Sequence, residues 1–438
     1  MGMTPAPAAW SPLTRVLFRF AFVYLVLFNL PFPLQYIPVL EKLVRPSGEL
    51  FSQQLLQPYE DLWNWLVPWV GQHVFGVEIT VRPNGSGDTT YNYVQDFCFL
   101  VLSVGATILW TLLDWKRSNY ERLHQWLRVY VRFSLALIMM SYGDVKIIKA
   151  QFPNPSLDRL LQPFGDASPM GLLWTFMGAS VSYNIFAGLG ETLGGLLLTM
   201  RRTTLLGALV CIGVLSNIVM MNFSYDVPVK LFSSHLLAMA IFLVVPDAGR
   251  LANLFLLNRP AEPVIYYTFF SKGWLDLGVR LTRTALVLVF LAFSLHGAYQ
   301  SSQKFGDLAP KSPLYGVWNV EEFEIDGKIR PPLVSNSDRW RRVVFDYPMM
   351  AGIQLMSDRR QRYLIEIDTN AGTLAFSKRG DPAWKSKLSY QKPSDDTLLL
   401  EGTFDGRPLH AKLHLADAAQ FQLLNRGFHW INEYPFNQ

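Results

Sequence analysis

An ionisable side chain in an apolar run is costly in hydrocarbon, so it marks a candidate site. Glu191 is such a group. It lies in Ala187-Gly188-Leu189-Gly190-Glu191-Thr192-Leu193-Gly194-Gly195-Leu196-Leu197-Leu198, whose glycines let neighbouring helices approach closely. There it pairs with a basic residue or stays neutral, and its role is helix bonding or proton handling. His235 follows Lys230-Leu231-Phe232-Ser233-Ser234 at the head of another apolar run. It reads as a satisfied core histidine, or as an acid, base or quinone contact. These two are the candidate catalytic residues, in a proton-handling role.

Candidate ligand-binding residues lie nearby. Asn217, Asn222, Tyr225, Asp226 and Lys230 surround the polar turn before His235. Lys146 and Lys149 follow Asp144 at the end of an apolar run. They snorkel to the interface, or they form a cationic pocket for an anionic group.

Other chemistries lack their residues. Cys98 and Cys211 both sit in apolar stretches, and two cysteines give neither a disulfide framework nor a thiolate cluster. Both read as small packing residues. HExxH, a helical pair of histidines, a P-loop and GxGxxG are all missing from the sequence, so it carries no metal or nucleotide motif. The net charge of +5 comes without a basic run, so nucleic acid is not an expected partner.

The elements that position these residues are membrane spans. Charged residues make up only 17% of the chain against about a quarter in soluble domains, and they concentrate after about Tyr299. A span needs about 20 apolar residues, and about seven stretches qualify. They start near Leu13, Val94, Leu127, Leu172, Leu205, Leu231 and Thr284. Residues 50–75 repeat apolar side chains at i, i+3/i+4 and i+7 with Trp63, Trp65 and Trp69, as in an amphipathic helix at the interface. Residues 251–281 read as a second interfacial, aromatic segment. With the N-terminus cytoplasmic, inner loops carry more Lys and Arg than outer ones. An odd number of spans then puts the C-terminal domain outside.

After a linker at 301–314, the pattern from residue 315 to 438 becomes period two. Val317-Trp318-Asn319-Val320, Leu364-Ile365-Glu366-Ile367 and Ala411-Lys412-Leu413-His414-Leu415 alternate, with turn signals at Asp326-Gly327, Asn370-Ala371-Gly372 and Asp405-Gly406. The expected fold class is a polytopic α-helical membrane domain plus a C-terminal antiparallel β-barrel or sandwich. The aromatic stretch 425–437 is expected to be a last strand and a docked plug.

Two resemblances add expectations. Gly316-Val317-Trp318 on the first strand with a late Arg426 resembles the calycin (lipocalin-like) barrel, in which a late Arg covers the first-strand Trp. Gly190-Glu191-Thr192-Leu193-Gly194-Gly195, followed by Arg201-Arg202-Thr203-Thr204, with Gly143-Asp144-Val145-Lys146 upstream, resembles the DoxX-like family over residues 129–247. That resemblance implies a four-helix unit and, by analogy, quinone-linked redox chemistry; the cofactor stays open, with quinone the candidate, and other membrane or periplasmic proteins are candidate partners. The functional expectations are therefore a quinone-linked oxidoreductase or a subunit of a membrane redox complex, a non-enzymatic lipid or small-molecule binding or transfer protein, or an assembly scaffold. The expected location is a bacterial inner membrane, with the C-terminal domain periplasmic.

Overall fold

A computed structural model describes residues 9–36, 51–81, 84–263, 273–417 and 421–437. The chain divides into two compact units. One comprises Met1–Ile148 and Asn184–Tyr299; the other comprises Lys149–Tyr183 and Gln300–Gln438. The division differs from a simple cut near residue 300, because a 35-residue insertion between helices belongs with the barrel.

The first unit is helical. Its helices are α1 (Pro12–Asn29), α2 (Phe51–Val70), α3 (Thr90–Leu113) and α4 (Glu121–Ile147). Helices α5 (Leu157–Leu160) and α6 (Pro169–Ala179) belong to the second unit, and the first continues with most of α7 (Val181–Thr199), α8 (Thr204–Ser224), α9 (Lys230–Val244), α10 (Ala248–Phe255) and most of α11 (Gly273–Phe305). Ser11 caps α1, with Pro12 in the first turn where the missing N–H costs nothing. Thr89 and Asn92 form a capping box on α3.

Among the described residues five helices are long and apolar enough to cross a membrane, or six if the bent pair α6–α7 counts as one span. The expected seventh is α4. It is a helix, but it carries Arg128, Arg132, Asp144 and Lys146, which dilute its apolar content. It is also the packing centre: Val131, Leu135, Ala136 and Met139 are fully buried against Cys211 and Leu215 of α8 and Met239, Ala240 and Leu243 of α9. Cys98 and Cys211 are free and buried. The amphipathic reading of residues 50–75 finds α2, with Trp63 and Val67 buried against Val94, Cys98 and Phe99 and Leu62, Trp65 and Trp69 exposed. Part of the aromatic segment 251–281 lies outside the described residues.

The second unit is a closed antiparallel barrel. Strands β1 (Gly316–Ile325), β3 (Trp340–Phe345), β4 (Met350–Leu355), β5 (Arg360–Asp368), β6 (Thr373–Lys378), β7 (Asp381–Ser394), β8 (Thr397–Phe404) and β9 (Arg407–Leu415) pair in sequence order, and β9 returns to β1. A two-residue β2 (Lys328–Ile329) extends the first hairpin. Closure removes the free strand edges that invite aggregation. Asp326, Gly327, Gly372, Asp405 and Gly406 all take positive φ, as their turn positions require. Gly316 has φ 145°, and a Cβ there would meet Leu415 Cδ1 at 2.5 Å.

Bulky side chains fill the barrel. Trp318, Phe323, Trp340, Phe345, Tyr363, Phe376 and Phe404 form one core with Leu374, Leu388, Leu398, Leu400 and Leu413. Trp318 is buried, and its Nε1 donates to Leu314 O at 2.9 Å. The expected cover by Arg426 is corrected: Arg426 is exposed and lies 3.8 Å from the Phe436 ring. The guanidinium buried in the barrel is that of Arg339, which donates to the carbonyls of Val320, Glu321, Arg330 and Trp340. The expected last strand and docked plug at 425–437 is also corrected. After β9 come a short helix, α12 (Gln422–Asn425), and an exposed loop.

Candidate functional site

Helix α4 brings Lys146 to Glu191 of α7. Lys146 Nζ donates to Oε1 at 2.6 Å and to Oε2 at 2.7 Å, and both side chains are under a tenth exposed. Glycine permits this approach. A Cβ on Gly143 would collide with Thr192 Oγ1 and Gly188 O, and one on Gly195 would sit 2.7 Å from Ala136 O. Asp144 is buried beside the hydroxyls of Thr192 and Ser294. With both carboxylate oxygens held, Glu191 is the closed half of an ion pair.

His235 is different. Its Nδ1 faces Leu231 O at 2.8 Å, so that nitrogen carries the proton. Its Nε2 is left to accept from Tyr24 Oη at 2.7 Å. The imidazole stacks on Phe28, with ring centroids 4.1 Å apart and planes 8° apart, and on Tyr24 at 5.8 Å. Asp96 Oδ2 of α3 lies 3.9 Å from Nε2. The side chains of His235 and Asp96 are 16% and 20% exposed, so this cluster is reachable. A histidine with one ring nitrogen held by a backbone carbonyl, and the other facing a hydroxyl and a carboxylate, can exchange a proton.

The remaining candidates separate. Lys230 pairs with Asp226 at 2.8 Å and with Asp88 at 3.6 Å. Asp88 also accepts from the backbone N–H groups of Lys230 and Leu231, capping α9 below His235. Asn222 donates to Ser233 Oγ at 3.0 Å in the buried α8–α9 corner. Asn217 and Tyr225 are exposed. Lys149 belongs to the barrel unit, where it bonds Asn154 Oδ1 and Gly178 O and pairs with Asp307 at 3.1 Å. Lys146 and Lys149 therefore form no common pocket, and each serves its own unit.

Sequence reasoning missed Tyr24, Phe28 and Asp96. Asp96 carried a usable signal, because it is a carboxylate inside the apolar stretch from Val94 to Leu113. Arg19 is a second such case. It is buried and bonds Thr111 Oγ1, Asp114 O and Tyr120 Oη.

Groups of three or more His, Cys, Asp or Glu able to hold a metal do not occur among the described residues. In the barrel unit a crevice of ≈ 110 Å³ is lined by Asp158, Asp346, Tyr347 and Arg362. It is well below the roughly 300 Å³ of a small-molecule pocket.

No family model matches the chain. No solved structure matches it. The uncharacterized protein YwoB of Bacillus subtilis (strain 168) is 31% identical over 126 residues, which cover 28% of this chain and 79% of that protein.

Proposed function

This chain belongs to the family of YwoB, and we propose that it is a DoxX-like membrane subunit that binds a quinone at His235 as part of a redox complex. The observation that carries the reading is the Tyr24–His235–Asp96 cluster, polar, accessible and set among apolar helices. A quinone supplies two-electron, two-proton chemistry when bound. The chain's own part is to hold and move protons. On binding, the Tyr24 hydroxyl would turn from His235 Nε2 to the quinone carbonyl oxygen; Nε2 donates to that oxygen only once it is itself protonated, and Asp96, 3.9 Å away, stabilises the imidazolium so formed. The electrons pass to a partner oxidoreductase of the membrane or periplasm.

The filled barrel argues against the alternative of lipid or small-molecule transfer through that domain, since aromatic side chains occupy the space a ligand would need. The Lys and Arg bias supports a cytoplasmic N-terminus, and an odd number of spans would then put the barrel on the opposite, periplasmic side of a bacterial inner membrane.

Organic extracts of the full chain purified in mild detergent test this. Quinone should accompany the wild type and Glu191→Gln, and should fall in His235→Phe. Wild type without quinone, or His235→Phe with undiminished quinone, overturns the proposal. Enriched phospholipid alone would favour lipid handling, and no enriched molecule would favour an assembly scaffold.

A further inference from the structure

The segment after β9 is an organised loop. Arg426 closes it, with Nη2 donating to Asn432 Oδ1 at 2.8 Å and the guanidinium 3.8 Å from the Phe436 ring. Asn432 Nδ2 donates to His429 O, and Gly427 takes φ 70° to make the turn. Phe428 and Trp430 meet edge to face at 5.0 Å. The loop thus holds its own shape, yet its apolar side chains face outward. Phe428 is 77% exposed, Trp430 91%, Ile431 77% and Tyr434 84%. Such a cluster in water is unfavourable, and large exposed aromatic patches mark interaction sites.

The barrel's topology says what covers it. Strand β1 starts at Gly316, and Trp318 pairs with Leu415 near the end of β9. Ala416 N then donates to Val317 O. The aromatic segment therefore leaves the barrel at the end where the chain enters it. That entry comes from α11, the last apolar helix, which ends at Phe305. Residues 306–315 span at most about 35 Å even fully extended. The barrel end that carries the loop is thereby tethered to a membrane helix. The side chains suit that neighbour, because Trp, Tyr and Phe favour the bilayer interface.

We propose that the loop from Arg426 to Phe436 is an interfacial anchor that seats the barrel on the lipid headgroup region. The partner is the bilayer surface itself. The attraction is apolar: turns at the same barrel end carry Asp368, Asp395 and Asp396, so anionic lipid gives no advantage.

The test uses the full chain in phosphatidylcholine nanodiscs. Trp430→Cys and, separately, Tyr434→Cys are labelled with an environment-sensitive fluorophore; the native cysteines are buried. Ser357→Cys, in the β4–β5 turn at the opposite barrel end, is the control. Both loop sites should emit to the blue of the control. Shallow spin-labelled lipid should quench them at least about twofold more than the control. High salt or added phosphatidylserine should not strengthen that quenching. Water-like emission with quenching equal to Ser357→Cys overturns the proposal. So does a blue shift without lipid quenching, which would mean that a protein surface covers the loop.

Discussion

Lys146 Nζ lies 2.6 and 2.7 Å from the two carboxylate oxygens of Glu191, across a helix crossing that only glycine allows. Both charges are buried, so the pair's value depends on its being complete. Removing one partner of a buried pair costs about 3–5 kcal/mol, while replacing both by apolar residues is often neutral. Glu191→Gln should therefore lower the thermal midpoint of the detergent-solubilised chain by several degrees. Lys146→Met with Glu191→Leu should recover most of that loss. Equal loss in the single and double variants would show that the carboxylate does more than neutralise Lys146.

The glycines at the same crossing make a second expectation. Gly143→Ala places a methyl against Thr192 Oγ1 and Gly188 O, one of them backbone that cannot swing away. It should destabilise the helical unit by about 1–3 kcal/mol, the usual cost of overpacking. Gly105→Ala on α3 meets nothing within 4 Å. It should be neutral or slightly stabilising, since Ala is the better helix former. Thermal melts of the two variants side by side decide the matter.

For the cluster at His235, Tyr24→Phe is the informative change. The ring stays between its neighbours and only the hydroxyl is lost. If Tyr24 Oη bonds the quinone or orients Nε2, affinity should drop about fivefold, corresponding to about 1 kcal/mol for one hydrogen bond. Titration of the purified chain with a water-soluble quinone analogue measures it. Unchanged affinity would remove Tyr24 from the binding role.

The barrel unit offers a pH-dependent expectation. Asp346, just past β3, accepts from the backbone N–H of Asp158 at 3.3 Å at the start of α5. Burial raises its carboxyl above the usual value of 3.8, and backbone and Ser156 hydrogen bonds only partly oppose this. A raised folded-state value means that the folded form holds the proton more tightly. The resulting stability is present below about pH 3.8 and is lost as pH rises through the raised value. Asp346→Asn cannot titrate. Relative to the wild type it should flatten the decline in unfolding midpoint over that window. Parallel slopes would mean that Asp346 titrates alike in both states.

The division between what sequence reasoning found and what it missed follows from range. Turn residues such as Asp326-Gly327 and Asp405-Gly406 act locally, and the strands they join were legible from alternation alone. The apolar spans were legible for the same reason, α4 among them despite its buried charges, but the stretch from Leu172 to Leu198 was not legible as two helices, α6 and α7, bent by 99°. Partner choice was not legible. Glu191 meets Lys146 across 45 positions and His235 meets Tyr24 across 211, and nothing in spacing selects those pairs. Asp96 and Arg19 were visible as charges in apolar stretches but could not be ranked without their neighbours.

The two arginines of the barrel unit show the same limit and give the last expectation. The calycin-like reading pairs Trp318 with Arg426, whereas the barrel buries Arg339 and leaves Arg426 on an outer loop. Arg339 donates to four backbone carbonyls at 2.7 to 3.2 Å, spanning the β1 strand, the segment after β2 and the start of β3. Removing it leaves buried carbonyls without donors, each costing about 1–3 kcal/mol. Arg339→Met keeps much of the side chain's bulk and should still unfold the barrel or lower its midpoint by more than ten degrees, since about 1 kcal/mol shifts a domain of this size by about 4 °C. Arg426→Met should leave the midpoint within about 4 °C, because an exposed cation on a ring contributes about 0.5–1 kcal/mol. Near-ultraviolet circular dichroism of the full chain, which reports the packing of Trp318 and Trp340, separates the two. A larger effect from Arg426 than from Arg339 would restore the calycin-like arrangement and refute the assignment made from the buried guanidinium.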